Sequence, residues 1–174
     1  MLRWQLDKVG GRLTVALVGI LDENADLRPL AELRGEVAID LSGVRRISST
    51  GVREWIDLMR ALDGNCRVAL VACSPASVTQ LNLIANFRGQ AQVESFIAPY
   101  ECGTCGAERE VLLDAHAASR TLRPLRPGMS GALPSLPALT CTACGSPMEL
   151  AEIPERYLTF LIDQARSGRM IALA

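Results

Sequence analysis

Residues 38–52, Ala38-Ile39-Asp40-Leu41-Ser42-Gly43-Val44-Arg45-Arg46-Ile47-Ser48-Ser49-Thr50-Gly51-Val52, decide how the rest of the chain is read. Val37 to Leu41 is a short apolar run of the kind that forms a buried strand, and a turn crowded with hydroxyls follows it. From Gly51 onward, Val52, Trp55, Ile56, Met59 and Leu62 recur at i, i+3, i+4, i+7 and i+10, which predicts a helix over 51–62 with one apolar stripe facing the core. Strand, hydroxyl-rich turn and amphipathic helix in that order are the repeating unit of an α/β protein. Upstream, residues 2–7 and 13–19 read as a hairpin folded at Gly10-Gly11, and 27–34 as a short helix. Downstream, Arg67 to Ala72 reads as a strand, Ser74-Pro75 caps and opens a helix carrying Val78, Leu81, Ile84 and Ala85, and Gln92 to Ala98 returns as a strand. The expected fold is α/β, a mixed sheet packed with helices in the order β-β-α-β-α-β-α-β over residues 2–98.

The same stretch resembles the STAS family, which contains the anti-sigma factor antagonists and the cytoplasmic domains of sulfate transporters. The family pattern runs Asp-Leu-x-x-Val, three further residues, then Asp-Ser-Ser-Gly-Leu or Val. Here it stands as Asp40-Leu41-Ser42-Gly43-Val44, Arg45-Arg46-Ile47 and Ser48-Ser49-Thr50-Gly51-Val52. Gly19-Ile20-Leu21-Asp22 matches a second family element, Gly-x-Leu-Asp. The resemblance covers a little over half of the chain and implies a STAS-like domain over residues 1–99. It places Ser49 on the family's phosphorylatable serine, Thr50 on the second hydroxyl and Gly51 on the helix-opening glycine, with Ser48 where the family has aspartate. It also implies that the 44–60 loop and helix, with Arg45, Arg46, Gly51, Arg53 and Glu54, docks a regulatory protein. That partner would be an anti-sigma-type kinase or another STAS protein; a homo-oligomer is a separate expectation. Physically, a helix N-terminus with Arg45 and Arg46 just upstream suits a phosphate. The same three hydroxyls can equally serve only as N-cap residues that satisfy the first turn's donors.

After Tyr100 the composition changes. Cys102-Gly103-Thr104-Cys105-Gly106 and Cys141-Thr142-Ala143-Cys144-Gly145 are matched knuckles, each followed by strand-like sequence at Glu110 to Leu113 and Met148 to Ala151. Two such turns supply four thiolates for one tetrahedral site, so Cys102, Cys105, Cys141 and Cys144 predict a small β zinc ribbon over 100–152 with a structural Zn²⁺. With all four positions filled by cysteine, no open position is left for an activated water. The ribbon's insert, residues 117–140, carries Pro124, Pro127, Pro134 and Pro137 and reads as a loop. Its length is tolerable because loop-closure entropy grows only logarithmically. Pro154 opens a last helix with Tyr157, Phe160, Leu161, Gln164 and Ala165 at helical spacing and Gly168 at its end. That helix, within 153–174, packs either on the STAS-like sheet or on the ribbon. Cys66 and Cys73 read as core residues, and His116 as a loop histidine.

Composition narrows the function. The chain has 174 residues, 49% hydrophobic and 21% charged, with Lys+Arg 18 against Asp+Glu 19, so no global positive field draws it to nucleic acid or anionic lipid. Its longest apolar run, Leu13 to Leu21, falls short of the ~18 residues of a membrane span, and the N-terminus alternates instead of opening a signal peptide. A cytoplasmic protein is expected. The single histidine, and the absence of any acid placed to activate Ser49, point away from an enzyme. The expected function is therefore a non-enzymatic regulatory interaction module. Two alternatives are a nucleic-acid-binding ribbon using Arg120, Arg123 and Arg126, and a Cys-x-x-Cys thiol redox protein.

Overall fold

Gly10 and Gly11 at φ 58° and 88° turn β1 (Arg3–Val9) back onto β2 (Arg12–Leu21) in a hairpin whose antiparallel register runs from Val9↔Arg12 to Arg3↔Val18. The computed structural model describes residues 1–124 and 132–166. After a 3₁₀ turn at Arg28–Glu32, β3 (Gly35–Ile47) pairs parallel with β2, and β4 (Cys66–Val71) and β5 (Gln92–Val93) continue the sheet in the order β1-β2-β3-β4-β5. The crossovers are α1 (Ser49–Leu62) and α2 (Pro75–Leu83). The α/β expectation is met: a mixed sheet with three parallel pairings and an antiparallel edge strand, packed with helices.

The buried strand expected at 37–41 runs on to Ile47. It carries register irregularities against β2 between Ala16 and Val18 and between Gly19 and Ile20, where Val44 and Arg46 face successive residues and Arg45 is left over. This bulge breaks the two-residue alternation, so Arg45 and Arg46 are both exposed at the strand's end. Helix α1 buries Gly51, Trp55, Leu58, Met59 and Leu62, while Val52 and Ile56 are half-buried, so the core-facing stripe is rotated toward Leu58. Trp55 stacks on Phe87 at 5.3 Å and donates its indole N–H to the Phe87 carbonyl at 2.6 Å. Ser74 caps α2 by accepting from the Ser77 amide.

The strand expected at 92–98 is two strands. The chain leaves the five-stranded sheet at Glu94, whose amide donates to the Leu70 carbonyl, whose carbonyl accepts from the Ala115 amide, and whose carboxylate takes both Arg12 guanidinium nitrogens at 3.0 Å. It then enters a second, antiparallel sheet as β6 (Ser95–Glu101), which pairs with β7 (Glu108–Asp114). The boundary expected at 99/100 thus falls inside β6. The stretch expected to be wholly loop from 117 begins inside α3 (Ala115–Arg120), which Asp114 caps by accepting from the Ala117 amide at 2.6 Å and which ends before the first proline. Two-residue strands β8 (Arg123–Pro124) and β9 (Ala132–Leu133) pair with each other. The next, β10 (Leu139–Thr140), joins β11 (Pro147–Leu150), giving the order β10-β11-β6-β7. Arg126, Pro127 and Gly168 lie outside the described residues.

The last helix is broken into α4 (Pro154–Tyr157) and α5 (Thr159–Arg166). Asn82 of α2 causes the break. Its side-chain amide donates to the Tyr157 carbonyl at 2.9 Å and accepts from the Phe160 amide at 2.8 Å, which takes two groups out of the helical ladder. The pair packs between the two sheets: Asn82 of α2 and Val93 of β5, which bonds Gln164, hold it from the α/β side, while on the β6 side Phe160 meets Phe96 edge-on at 5.3 Å and the Tyr157 hydroxyl donates to the Ile97 carbonyl at 2.6 Å.

Candidate metal centre and the Ser-Thr turn

The two knuckles are built alike, residue for residue. In the first, the Gly106 amide donates to the Cys102 carbonyl at 2.8 Å and the Cys102 amide to the Ala107 carbonyl at 2.9 Å; in the second, Gly145 donates to Cys141 at 2.9 Å and Cys141 to Ser146 at 2.8 Å. Gly106 and Gly145 stand at φ 71° and 75°, where an L side chain would be strained. The β6–β7 and β10–β11 hairpins lie side by side through Glu149↔Glu101 and Leu150↔Tyr100, which brings both turns to one end of the sheet. Cys102 and Cys141 are buried at the base, and Cys105 and Cys144 are exposed above them.

All four sulfurs lie within 4.8 Å of one another. Two close approaches run between the knuckles, Cys102 Sγ to Cys144 Sγ at 3.4 Å and Cys105 Sγ to Cys141 Sγ at 3.6 Å. A tetrahedral ion with Zn–S bonds near 2.3 Å separates its sulfurs by about 3.8 Å, whereas a disulfide needs about 2.05 Å. The cluster therefore fits one tetrahedral metal ion, and all six cysteines are unpaired thiols. Around it, the Ser146 hydroxyl and amide hydrogen-bond Cys144, and with Cys102 and Cys105 they pull that thiol down to about 6. At Cys105 the Ala107 amide pulls the same way, but hydrogen bonds with Cys144, Cys141 and Cys102 outweigh it and push the thiol up to about 12. The packed sulfurs share protons in favour of a thiolate at Cys144, the form a metal requires. Ser146 is a site residue that the cysteine spacing does not reveal, although its place directly after the knuckle glycine is a signal for it.

At the other candidate site, Ser48 is the N-cap of α1. Its Oγ accepts from the Gly51 amide at 3.1 Å, its carbonyl accepts from Val52 and its amide donates to the Leu21 carbonyl. Ser49 and Thr50 are exposed in the first turn, beside exposed Arg45, Arg46 and Arg53, while Glu54 is half-buried and Gly51 buried. A Cβ on Gly51 would lie 2.0 Å from the Leu21 carbonyl oxygen, so a glycine is required where the helix start crosses the end of β2. The Cys-Cys and Ser-Thr sites are separate. Two clefts not apparent from the sequence complete the surface. One of about 420 Å³ is lined by Arg60, Asp63 and Arg88, and an apolar one of about 450 Å³ lies between Tyr100, Leu136, Met148 and Leu158. Cys66 is half-buried against the Leu33 carbonyl and Cys73 is fully buried, whereas His116 and Arg120 are exposed on α3. No helix among the described residues is long and apolar enough to cross a membrane. No protein-family model, no curated protein and no solved structure matches the chain.

Proposed function

We propose that the protein is a non-enzymatic regulatory module in the cytoplasm that docks a partner protein through the 44–60 loop and helix, and that a structural Zn²⁺ on Cys102, Cys105, Cys141 and Cys144 stabilises its second sheet. The four-sulfur cluster carries the metal half of this reading. Thiolates filling every tetrahedral position favour zinc in a holding role and leave no place for a metal-bound water. The docking half rests on the resemblance to STAS proteins, supported by the exposure of Ser49, Thr50, Arg45, Arg46 and Arg53 around one helix start. With Ser48 occupied as the cap, Ser49 and Thr50 are the hydroxyls open to a kinase. A phosphate there would add about two negative charges beside the arginines and change the docking surface without disturbing the core.

Native mass spectrometry of the protein from its own cells tests both halves. One zinc per chain and a phosphate on Ser49 or Thr50, with a co-purifying STAS-like or kinase partner, is the expected result. One zinc with no phosphate under any growth condition would leave a constitutive docking module. A metal-free chain with Cys102/Cys105 and Cys141/Cys144 oxidised as pairs would overturn the zinc assignment in favour of thiol redox chemistry. Both Cys-x-x-Cys pairs sit in β-hairpin turns instead of at a helix start, which disfavours that outcome.

A further inference from the structure

The five-stranded sheet treats its two edges differently. At β5, only two residues long, Gln164 of α5 acts as a surrogate strand: its side-chain oxygen accepts from the Val93 amide at 2.8 Å and its nitrogen donates to the Val93 carbonyl at 3.0 Å. That edge is closed. At the other, β1 is seven residues long, pairs with β2 without a bulge, contains no proline, and is exposed from Arg3 to Lys8. Long, regular, uncovered edge strands template pairing with another strand, and proteins that remain single chains blunt them. Apart from the charges of Arg3, Asp7 and Lys8, β1 carries no such device.

The residues on β1 state what it pairs with. Trp4 and Leu6 lie opposite buried Leu17 and Val15, on one face, yet remain 39% and 42% exposed, so the core is left open at its rim. On the other face, Gln5 donates to the Asp7 carboxylate at 3.2 Å, and Arg3 makes no ion pair among the described residues. Because the two-residue turn makes Val9 and Arg12 a mutually hydrogen-bonded pair, alternation along β1 leaves the N–H and C=O groups of Lys8, Leu6 and Trp4 pointing outward. An antiparallel copy of the same strand must pair outward residue with outward residue. One register meets that condition and matches charge as well: Trp4 opposite Leu6, Gln5 opposite Gln5 on the dyad, and Arg3 opposite Asp7 twice.

We propose that β1 is the interface of a two-fold symmetric homodimer, in which two copies join their five-stranded sheets into one through this register. Each Arg3 then reaches the partner copy's Asp7, and the two Trp4–Leu6 pairs close the open rim of both cores. This surface is distinct from the 44–60 docking region and does not depend on the function proposed for it.

Sedimentation of the zinc-loaded full chain from about 1 µM to about 1 mM should show monomer passing to dimer, a range that brackets the affinity of a small interface. Arg3→Asp and Asp7→Arg should each weaken the dimer by at least about tenfold, through like charges brought opposite each other, and the double reversal should restore it. Hydrogen exchange supplies a readout independent of any variant: the Trp4 and Leu6 amides should gain protection as the concentration rises through the dimerisation range. A monomer at every concentration, a dimer indifferent to both single reversals, or a double reversal that folds but stays monomeric would each overturn the proposal. So would a dimer lost on zinc removal with the Trp4 and Leu6 amides unprotected throughout, which would place the interface on the second sheet.

Discussion

Gly51 and Ser48 make opposite demands on the start of α1. The first must lack a side chain because the Leu21 carbonyl oxygen occupies the space, and the second must offer an acceptor to the Gly51 amide. Gly51→Ala should therefore destabilise the protein by about 3 kcal/mol in urea unfolding, since backbone on both sides must move. Ser48→Ala should cost about 1 kcal/mol, and Ser48→Asp, an equally good cap, should restore wild-type stability. If Ser48→Ala is neutral, the cap contributes nothing. Two buried groups set the alkaline limit. Burial, reinforced by Glu152, Cys73 and Glu110, raises the Tyr157 hydroxyl above its ordinary 10.0, and burial, reinforced by Asp40, raises the Cys73 thiol above its ordinary 9.0. Both groups are held protonated in the fold, so their contribution is complete below those ordinary values and is lost as the pH climbs toward the raised ones. Thermal stability should fall steeply above about pH 9, and Tyr157→Phe should flatten that fall while forfeiting the hydrogen bond to Ile97. A melting temperature constant to pH 11 would remove the argument. At this scale the sequence was readable where one residue type has one use: the knuckle glycines, the Ser74 cap and the Gly10-Gly11 turn. It was not readable at Ser146 or Asn82, whose roles depend on groups brought up by other parts of the chain.

Among the elements, those with a strong local period stand where the pattern put them. The helix expected at 51–62 spans 49–62, and the strands expected at 2–7, 13–19 and 67–72 span 3–9, 12–21 and 66–71. The failures share a cause. β3 outruns its apolar segment because parallel pairing with β2 continues through bulges, and the 92–98 strand divides because Glu94 is anchored by Leu70, Arg12 and Ala115 at once. The last helix breaks because Asn82 enters it. Each is a tertiary contact overriding a local preference, and none leaves a mark in spacing. The grouping of the four cysteines was legible because their matched spacing encodes both the sulfurs and the turns that present them, whereas Ser146 beside them was not. The strength of metal binding is set by what surrounds the sulfurs. Replacing a ligand, as in Cys144→Ser, should weaken zinc binding by more than about 100-fold, and Ser146→Ala, which removes only the hydroxyl hydrogen-bonded to Cys144, by about tenfold. Competition against a chromogenic chelator measures both. An Ser146→Ala affinity equal to wild type would show that the Ser146 amide alone orients the thiolate.

Across the whole molecule, the metal end and the α/β layer meet in β6. Its first residues bridge to the parallel sheet, with the Cys73 amide donating to the Ser95 carbonyl at 3.0 Å and the Ile97 amide to the Cys73 carbonyl at 2.9 Å. Its last residue leads into Cys102. The side chains agree with the backbone: Cys102, Cys141, Met148 and Tyr100 belong to the same contiguous buried cluster as Trp55, Ile39 and Leu70. Such a core transmits the loss of one part to the rest, because packing forfeited at one end exposes apolar surface next to the other. The zinc-loaded protein should therefore unfold in a single calorimetric transition, and chelation should move that entire transition to lower temperature. Binding that favours only the folded state stabilises the whole cooperative unit by RT ln(1 + [L]/Kd), so the midpoint should also rise with added free zinc. Two transitions, with only one responding to the chelator, would mean that β6 joins two independent units and that the shared core is a contact surface between them.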